Sequence, residues 1–378
     1  MRVLFIGTAG KYGAQLSLAY LCKELKNKGV DVEVVIPNKG ETDFFYEQEG
    51  IPFHIIKNGL MWYDPEQNFL KRYLSYAVKI FVNILAEMKI NRIIKNESID
   101  IVHINSIGVG VGIKSAKKNN KKIVWHIREF VKDDLNRRLF NEQATYAKVN
   151  EADVIITISN AIKEYYGNVI EWEKMHTVYN GIEDRFVSGK DRGVLINGKT
   201  RIVVPGRICK EKGQRYVVDA LNCLKQYRNK IIVDFCGDSN GNNTEMGYLI
   251  RQIEKNDLKD NVIFSGYCSA MHEKYLEADI CIVPSKREAF GRVTVEAMMN
   301  GCLVIGANSG GTAEILDDNR GLLFQSENSN DLAKKIQWVM ENKKQAQDIA
   351  HKAQTYAKKV FTASDNADNI LKIYNSIF

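Results

Sequence analysis

The chain has 378 residues, more than one ordinary domain needs, and at 45% apolar and 10% aromatic it can fill two cores and leaves no room for long disorder. The net charge of +7 is spread over both halves with no basic tail and no basic–aromatic motif, which argues against nucleic acid and suits anionic substrates or lipid headgroups. No uncharged run is long enough to span a bilayer. Residues 1–6 lead into Gly7 too soon for a signal peptide, and the seven cysteines contain no CxxC pair. A cytoplasmic protein with reduced thiols is therefore expected.

In chain order, short β-branched runs predict strands at 2–6, 32–36, 53–56, 101–104, 123–126, 154–158 and 176–178, then at 201–204, 231–236, 262–264, 280–283, 303–305 and 321–324. Amphipathic stretches such as 15–27, 214–226 and 332–341 fall between them. Apolar strands alternating with helices predict parallel sheets covered on both faces, hence an α/β fold of two doubly wound domains. The polar, glycine-containing stretch 184–200 reads as the linker. Ligands of such sheets bind beyond the carboxyl ends of the strands, so two facing domains would hold one in a cleft.

After the first strand, Gly7, Gly10 and Gly13 open a helix, but their spacing is not that of a dinucleotide-binding loop. Residues 69–95 carry Lys71, Arg72, Lys79, Lys89, Arg92 and Lys95 against one acid, Glu87. Two readings fit: a basic amphipathic helix lying on a membrane, or a long helix packing its apolar face on the first sheet. His126 ends the fifth predicted strand within Trp125-His126-Ile127-Arg128-Glu129. After the first strand of the second half comes Gly206-Arg207, then Lys212-Gly213, a basic turn before a helix. The stretch Glu288-Ala289-Phe290-Gly291-Arg292-Val293 leads from a strand into a helix that holds Glu296 and stops at Gly301. The helix start would offer backbone N–H groups to an anion, with a carboxylate on each side for sugar hydroxyls. Ser309-Gly310-Gly311-Thr312 precedes Glu314. Asp133-Asp134 and Asp317-Asp318 are adjacent pairs, not a DxD metal site.

Taken together, these segments resemble the GT4 family of GT-B-fold glycosyltransferases. Glu288 and Glu296 match its E-x7-E signature, Arg207 and Lys212 its G-R-x4-K-G element, Gly310-Gly311 its G-G-x-x-E loop, and His126 its strand-end histidine. Ser159-Asn160-Ala161 and Asn180-Gly181 are similar to further family elements, and the likeness runs from about residue 2 to 325. Ala289 and Arg292 depart from the usual glycine and aliphatic residue.

The resemblance implies two Rossmann-like domains facing across a cleft, an acceptor-side one of residues 1–185 and a nucleotide-sugar-binding one of residues 186–362. It also implies that the last helix, 363–378, returns to the first. It implies a retaining transfer from a nucleotide-diphosphate sugar, most often a UDP-sugar, with no metal. Glu288 and His126 would hold the sugar and Glu296 the ribose. Arg207 and Lys212 would neutralise the diphosphate, with Gly10, Gly13, Ala289, Phe290, Gly291, Arg292 and Val293 lining the donor. The expected acceptor is a glycan or lipid-linked glycan of polysaccharide biosynthesis, met at the inner face of the membrane. Two rivals are a hydrolase or epimerase on the same architecture and a non-catalytic partner subunit.

Overall fold

The computed structural model describes residues 1–8, 13–183, 186, 198–239, 241 and 243–378. Gly10 and most of the predicted linker lie outside them. The chain divides into two compact units, Met1–Gly181 with Ala363–Phe378, and Ile182–Thr362.

The first unit holds β1 (Arg2–Ile6), β2 (Asp31–Ile36), β3 (Phe53–Ile55), β4 (Trp62–Tyr63), β5 (Ile101–Asn105), β6 (Lys122–Ile127), β7 (Arg138–Leu139), β8 (Val154–Thr157) and β9 (Met175–Thr177). Seven of them form a parallel sheet in the order β3-β2-β1-β5-β6-β8-β9. Their Val/Ile runs are buried from end to end in β5 and nearly so in β1 and β6, as a sheet covered on both faces requires. β4 and β7 form a separate antiparallel pair, Trp62 opposite Leu139. Sequence patterning missed both, because two residues carry no periodicity. The C-terminal helix Ala363–Ser376 packs on the helix Ala14–Asn27 and places Ala367, Ile370 and Tyr374 in the same core as Val3, Phe5 and Leu18.

The second unit is a six-stranded parallel sheet. Its strands are β10 (Thr200–Pro205), β11 (Ile231–Cys236), β12 (Val262–Gly266), β13 (Ile280–Val283), β14 (Leu303–Ala307) and β15 (Leu322–Phe324), in the order β12-β11-β10-β13-β14-β15. The chain runs outward one way from β10 through β11 and the other way from β13 through β14. The loops after β10 and β13 thus diverge from adjacent strands, which is the position where open α/β sheets take their ligands.

Candidate functional site

In the second unit, the loops after β10 and β13 bring two predicted residues together. Lys212 Nζ lies 2.8 Å from Glu288 Oε1, and Ser285 Oγ donates to the same oxygen at 2.5 Å. Both members of the pair keep some exposure, 22% for the Lys212 side chain and 14% for that of Glu288. Arg207, on the same β10 loop, is exposed. The pair and Arg207 together therefore present a carboxylate and two cations at the carboxyl end of the sheet.

Glycines let these loops touch. A Cβ on Gly213 would lie 2.2 Å from the Pro284 carbonyl oxygen, and one on Gly310 or Gly311 would lie 2.4 Å from that of Glu288 or 2.3 Å from that of Phe290. Gly311 N–H donates to the Glu288 carbonyl at 2.8 Å. The two glycine motifs thus hold the Glu288 loop by close backbone approach. Phe290 and Ala289 are buried, with the Phe290 ring 5.8 Å from that of Phe361, so they support the loop from beneath, whereas Val293 is half-buried.

Gly291, left-handed at φ 95°, caps the helix Arg292–Met299. One turn in, Glu296 is buried. Its Oε1 lies 2.8 Å from Arg292 Nε and its Oε2 accepts from the Tyr275 hydroxyl at 3.2 Å. Burial pushes its carboxyl up, against the pull of Arg292. Arg292 also lies 2.9 Å from Glu183 Oε1. Arg292, expected to line the donor, thus has its guanidinium engaged by two carboxylates, one of them Glu296. Tyr275, Ser285 and Glu183 carry no motif, and sequence reasoning missed them.

In the first unit His126 is the penultimate residue of β6, opposite Asn105 and Ile156, and is fully buried. Its Nδ1 lies 3.3 Å from Arg128 Nη2 and 3.1 Å from His103 Nε2, while His103 Nδ1 lies 2.6 Å from the Tyr374 hydroxyl. Arginine can only donate, so His126 Nδ1 accepts and its proton sits on Nε2. His103 must then donate from Nε2 and accept from Tyr374. Burial and the Arg128 charge hold both imidazoles well below the usual histidine range, so both are neutral at pH 7. Among the described residues, His126 Nε2 has no hydrogen-bond partner. Arg128 is itself buried and donates to the side-chain oxygens of Asn105 and, at 2.6 Å, Asn180; burial pushes it down to about 10. Next to it, burial pushes Glu129 up to about 7, although Ser106 and the N–H groups of Ile107 and Arg128 donate to it. Gly13, at φ 38°, precedes the helix Ala14–Asn27, and Ser159 caps the helix Asn160–Tyr166.

Two family matches divide the chain as the structure does. Residues 12–186 match Glycosyltransferase Family 4, and residues 190–356 match Glycosyl transferases group 1. An uncharacterized glycosyltransferase of Methanocaldococcus jannaschii is 26% identical over 81% of either chain. The capsular polysaccharide biosynthesis glycosyltransferase CapM of Staphylococcus aureus is 23% identical over 55% of this chain and 53% of its own. The crystal structure of Anabaena HepE in complex with UDP-glucose superposes with a TM-score of 0.79 over the whole of both chains at 23% identity, which places the fold in the GT-B class. On these grounds the chain is a GT4-like glycosyltransferase.

Proposed function

We propose that this glycosyltransferase moves a sugar from a nucleoside-diphosphate donor, a UDP-sugar, to a hydroxyl of a glycan or lipid-linked glycan in polysaccharide biosynthesis, with retention of configuration and without a metal. The observation that carries the donor side is the Lys212–Glu288 pair at 2.8 Å beside the exposed Arg207. When a donor binds, its sugar hydroxyls can donate to Glu288, and Lys212 and Arg207 can turn to the diphosphate as it leaves. Two cations close to the leaving group stabilise the charge that develops on it. Metal independence is supported by Arg207 and Lys212, two cations that can offset the diphosphate charge a metal would otherwise carry. The buried N–H at His126 Nε2 fits a group kept for a sugar oxygen, since leaving it unsatisfied costs about 1–3 kcal/mol. UDP is favoured because HepE is seen with UDP-glucose, and a polysaccharide because CapM serves capsule synthesis.

The test is thermal unfolding with UDP-, GDP-, dTDP- and ADP-sugars, each with and without a chelator. A UDP-sugar at 100 times its Kd is expected to stabilise the protein by about 2.7 kcal/mol, chelator or not. Stabilisation by none of the four defeats the donor reading, and stabilisation lost with chelator defeats metal independence. Glu288→Ala and Lys212→Ala are each expected to lower transfer by about 100-fold or more. Near-normal turnover by either folded variant removes that residue from the site. NMR of the product's anomeric centre decides retention.

A further inference from the structure

The helix Phe69–Asn96 turns its charges inward and its apolar side chains outward over most of its length. On the packed face, Arg72 lies over the Tyr63 ring at 5.0 Å, and Lys79 donates to the Trp62 carbonyl at 2.7 Å and lies over Phe140 at 5.1 Å. Asn83 bonds both backbone groups of Gly59, at 2.7 and 2.9 Å, and Ala86, Ile90 and Ile94 continue the same face. The opposite face carries Leu70, Leu74, Phe81, Ile84, Leu85 and Met88, all exposed, with Phe81 at 63% and Met88 at 57%. Among the described residues, eleven of the twenty exposed large hydrophobic side chains belong to this one helix.

From Tyr73 to Met88 that outer face holds no charge. The two ionisable acids and bases of the stretch are Lys79, committed inward, and Glu87, which accepts from Gly112 N–H at 2.8 Å and from Ser115 Oγ at 2.5 Å. The uncharged strip is about 24 Å long at 1.5 Å per residue. Monomeric proteins seldom leave a contiguous patch of this kind uncovered. Beyond each end, exposed cations take over: Lys71 at one, and Lys89, Arg92 and Lys95 at the other.

We propose that this face docks on the surface of an anionic phospholipid bilayer. The apolar strip enters the boundary between headgroups and acyl chains, and the four lysines and arginines meet the phosphates. Charge decides against a second copy of the chain as the occupant. Pairing two such helices in either direction brings cations against cations at both ends, with no acid on that face to answer them. The helix lies on the bilayer, since among the described residues no helix is long and apolar enough to cross it.

The proposal does not depend on the donor reading, and its test contains no nucleotide sugar. The full-length protein is sedimented with vesicles of phosphatidylcholine alone or mixed with phosphatidylglycerol, at low and physiological salt. Binding is expected to the mixed vesicles, to weaken with salt, and to be slight on phosphatidylcholine. The double variant Phe81→Glu/Ile84→Glu should bind roughly tenfold less or weaker still, at an unchanged melting temperature. The double variant Arg92→Glu/Lys95→Glu should lose most of the salt dependence. Absence of wild-type binding to the mixed vesicles at low salt overturns the proposal. So does binding by both double variants equal to that of the wild type, or a wild-type dimer that Phe81→Glu breaks and that ignores vesicles.

Discussion

Tyr374 meets His103 across 271 positions of sequence and fixes His103 as the donor to His126, whose own tautomer Arg128 holds. Removing its hydroxyl leaves His103 Nδ1 buried without a donor. Tyr374→Phe should cost about 1–3 kcal/mol of stability. Urea unfolding of the variant checks this: an unchanged stability would mean that His103 does not depend on that bond. Glu129 supplies a second residue-scale test. Its folded value of about 7 stands above its ordinary 4.5, so between those pH values the unfolded chain releases the proton first and the fold loses stability as pH rises. The loss tends toward about 3 kcal/mol by pH 8 and is absent below pH 4. Urea unfolding at pH 5 and pH 7.5 should show that slope in the wild type and a flatter one in Glu129→Gln. Equal slopes would mean that Glu129 titrates normally. At this scale the sequence disclosed the residues whose spacing along the chain is set by one loop or one helix turn, such as Glu288 with Glu296 and Arg207 with Lys212. It could not disclose Tyr275 beneath Glu296 or Tyr374 behind His103, because those partners are chosen by packing between distant elements.

The glycines that bound the second unit's loops act at the scale of the element. Gly213 sits at φ 71° with the Pro284 carbonyl in the space of its missing side chain, and Gly311 is pressed against the Phe290 carbonyl. Gly311→Ala has no flexible neighbour to yield, so the loop bearing Glu288 must move. The expected outcome is a loss of about 2 kcal/mol together with a reduced donor-induced thermal shift. Gly29→Ala is the control. At φ 83° and with nothing within 4 Å of a built Cβ, it should cost about 1–2 kcal/mol and leave the donor shift intact. If both variants leave the shift intact, the glycine contacts do not position the loop. Elements were legible where burial on both sheet faces writes a Val/Ile run, as in β1, β5, β6 and β13. The β4–β7 pair escaped because two-residue strands write nothing, and with it went the platform that receives Arg72 and Lys79. Without that platform, the sequence of residues 69–95 could not show which face of the helix is turned to solvent.

At the scale of the molecule, the chain leaves the first unit after Gly181 and returns to it at Ala363, and where it passes, Ile182 N–H donates to the Phe361 carbonyl at 2.8 Å. The first core is therefore finished by residues that follow the second unit in the chain: Ala367, Ile370 and Tyr374 are fully buried in it, while the second core draws on none of them. Ending the chain at Thr362 should then separate the stabilities of the two units. The first loses the burial of one isoleucine and one tyrosine, about 4 kcal/mol, and the Tyr374–His103 bond with it. That is a large part of the 5–15 kcal/mol by which domains are ordinarily stable, so the first unit should melt many degrees lower or fail to fold. The second unit keeps all of its core and should keep its own transition, still raised by nucleotide sugar if the donor contacts lie within it. Scanning calorimetry of the full and shortened chains, each with and without UDP-sugar, separates these outcomes. Two transitions shifted equally by the truncation would show that the units do not melt independently, and an unshifted first transition would show that the returning helix is dispensable to the core it enters.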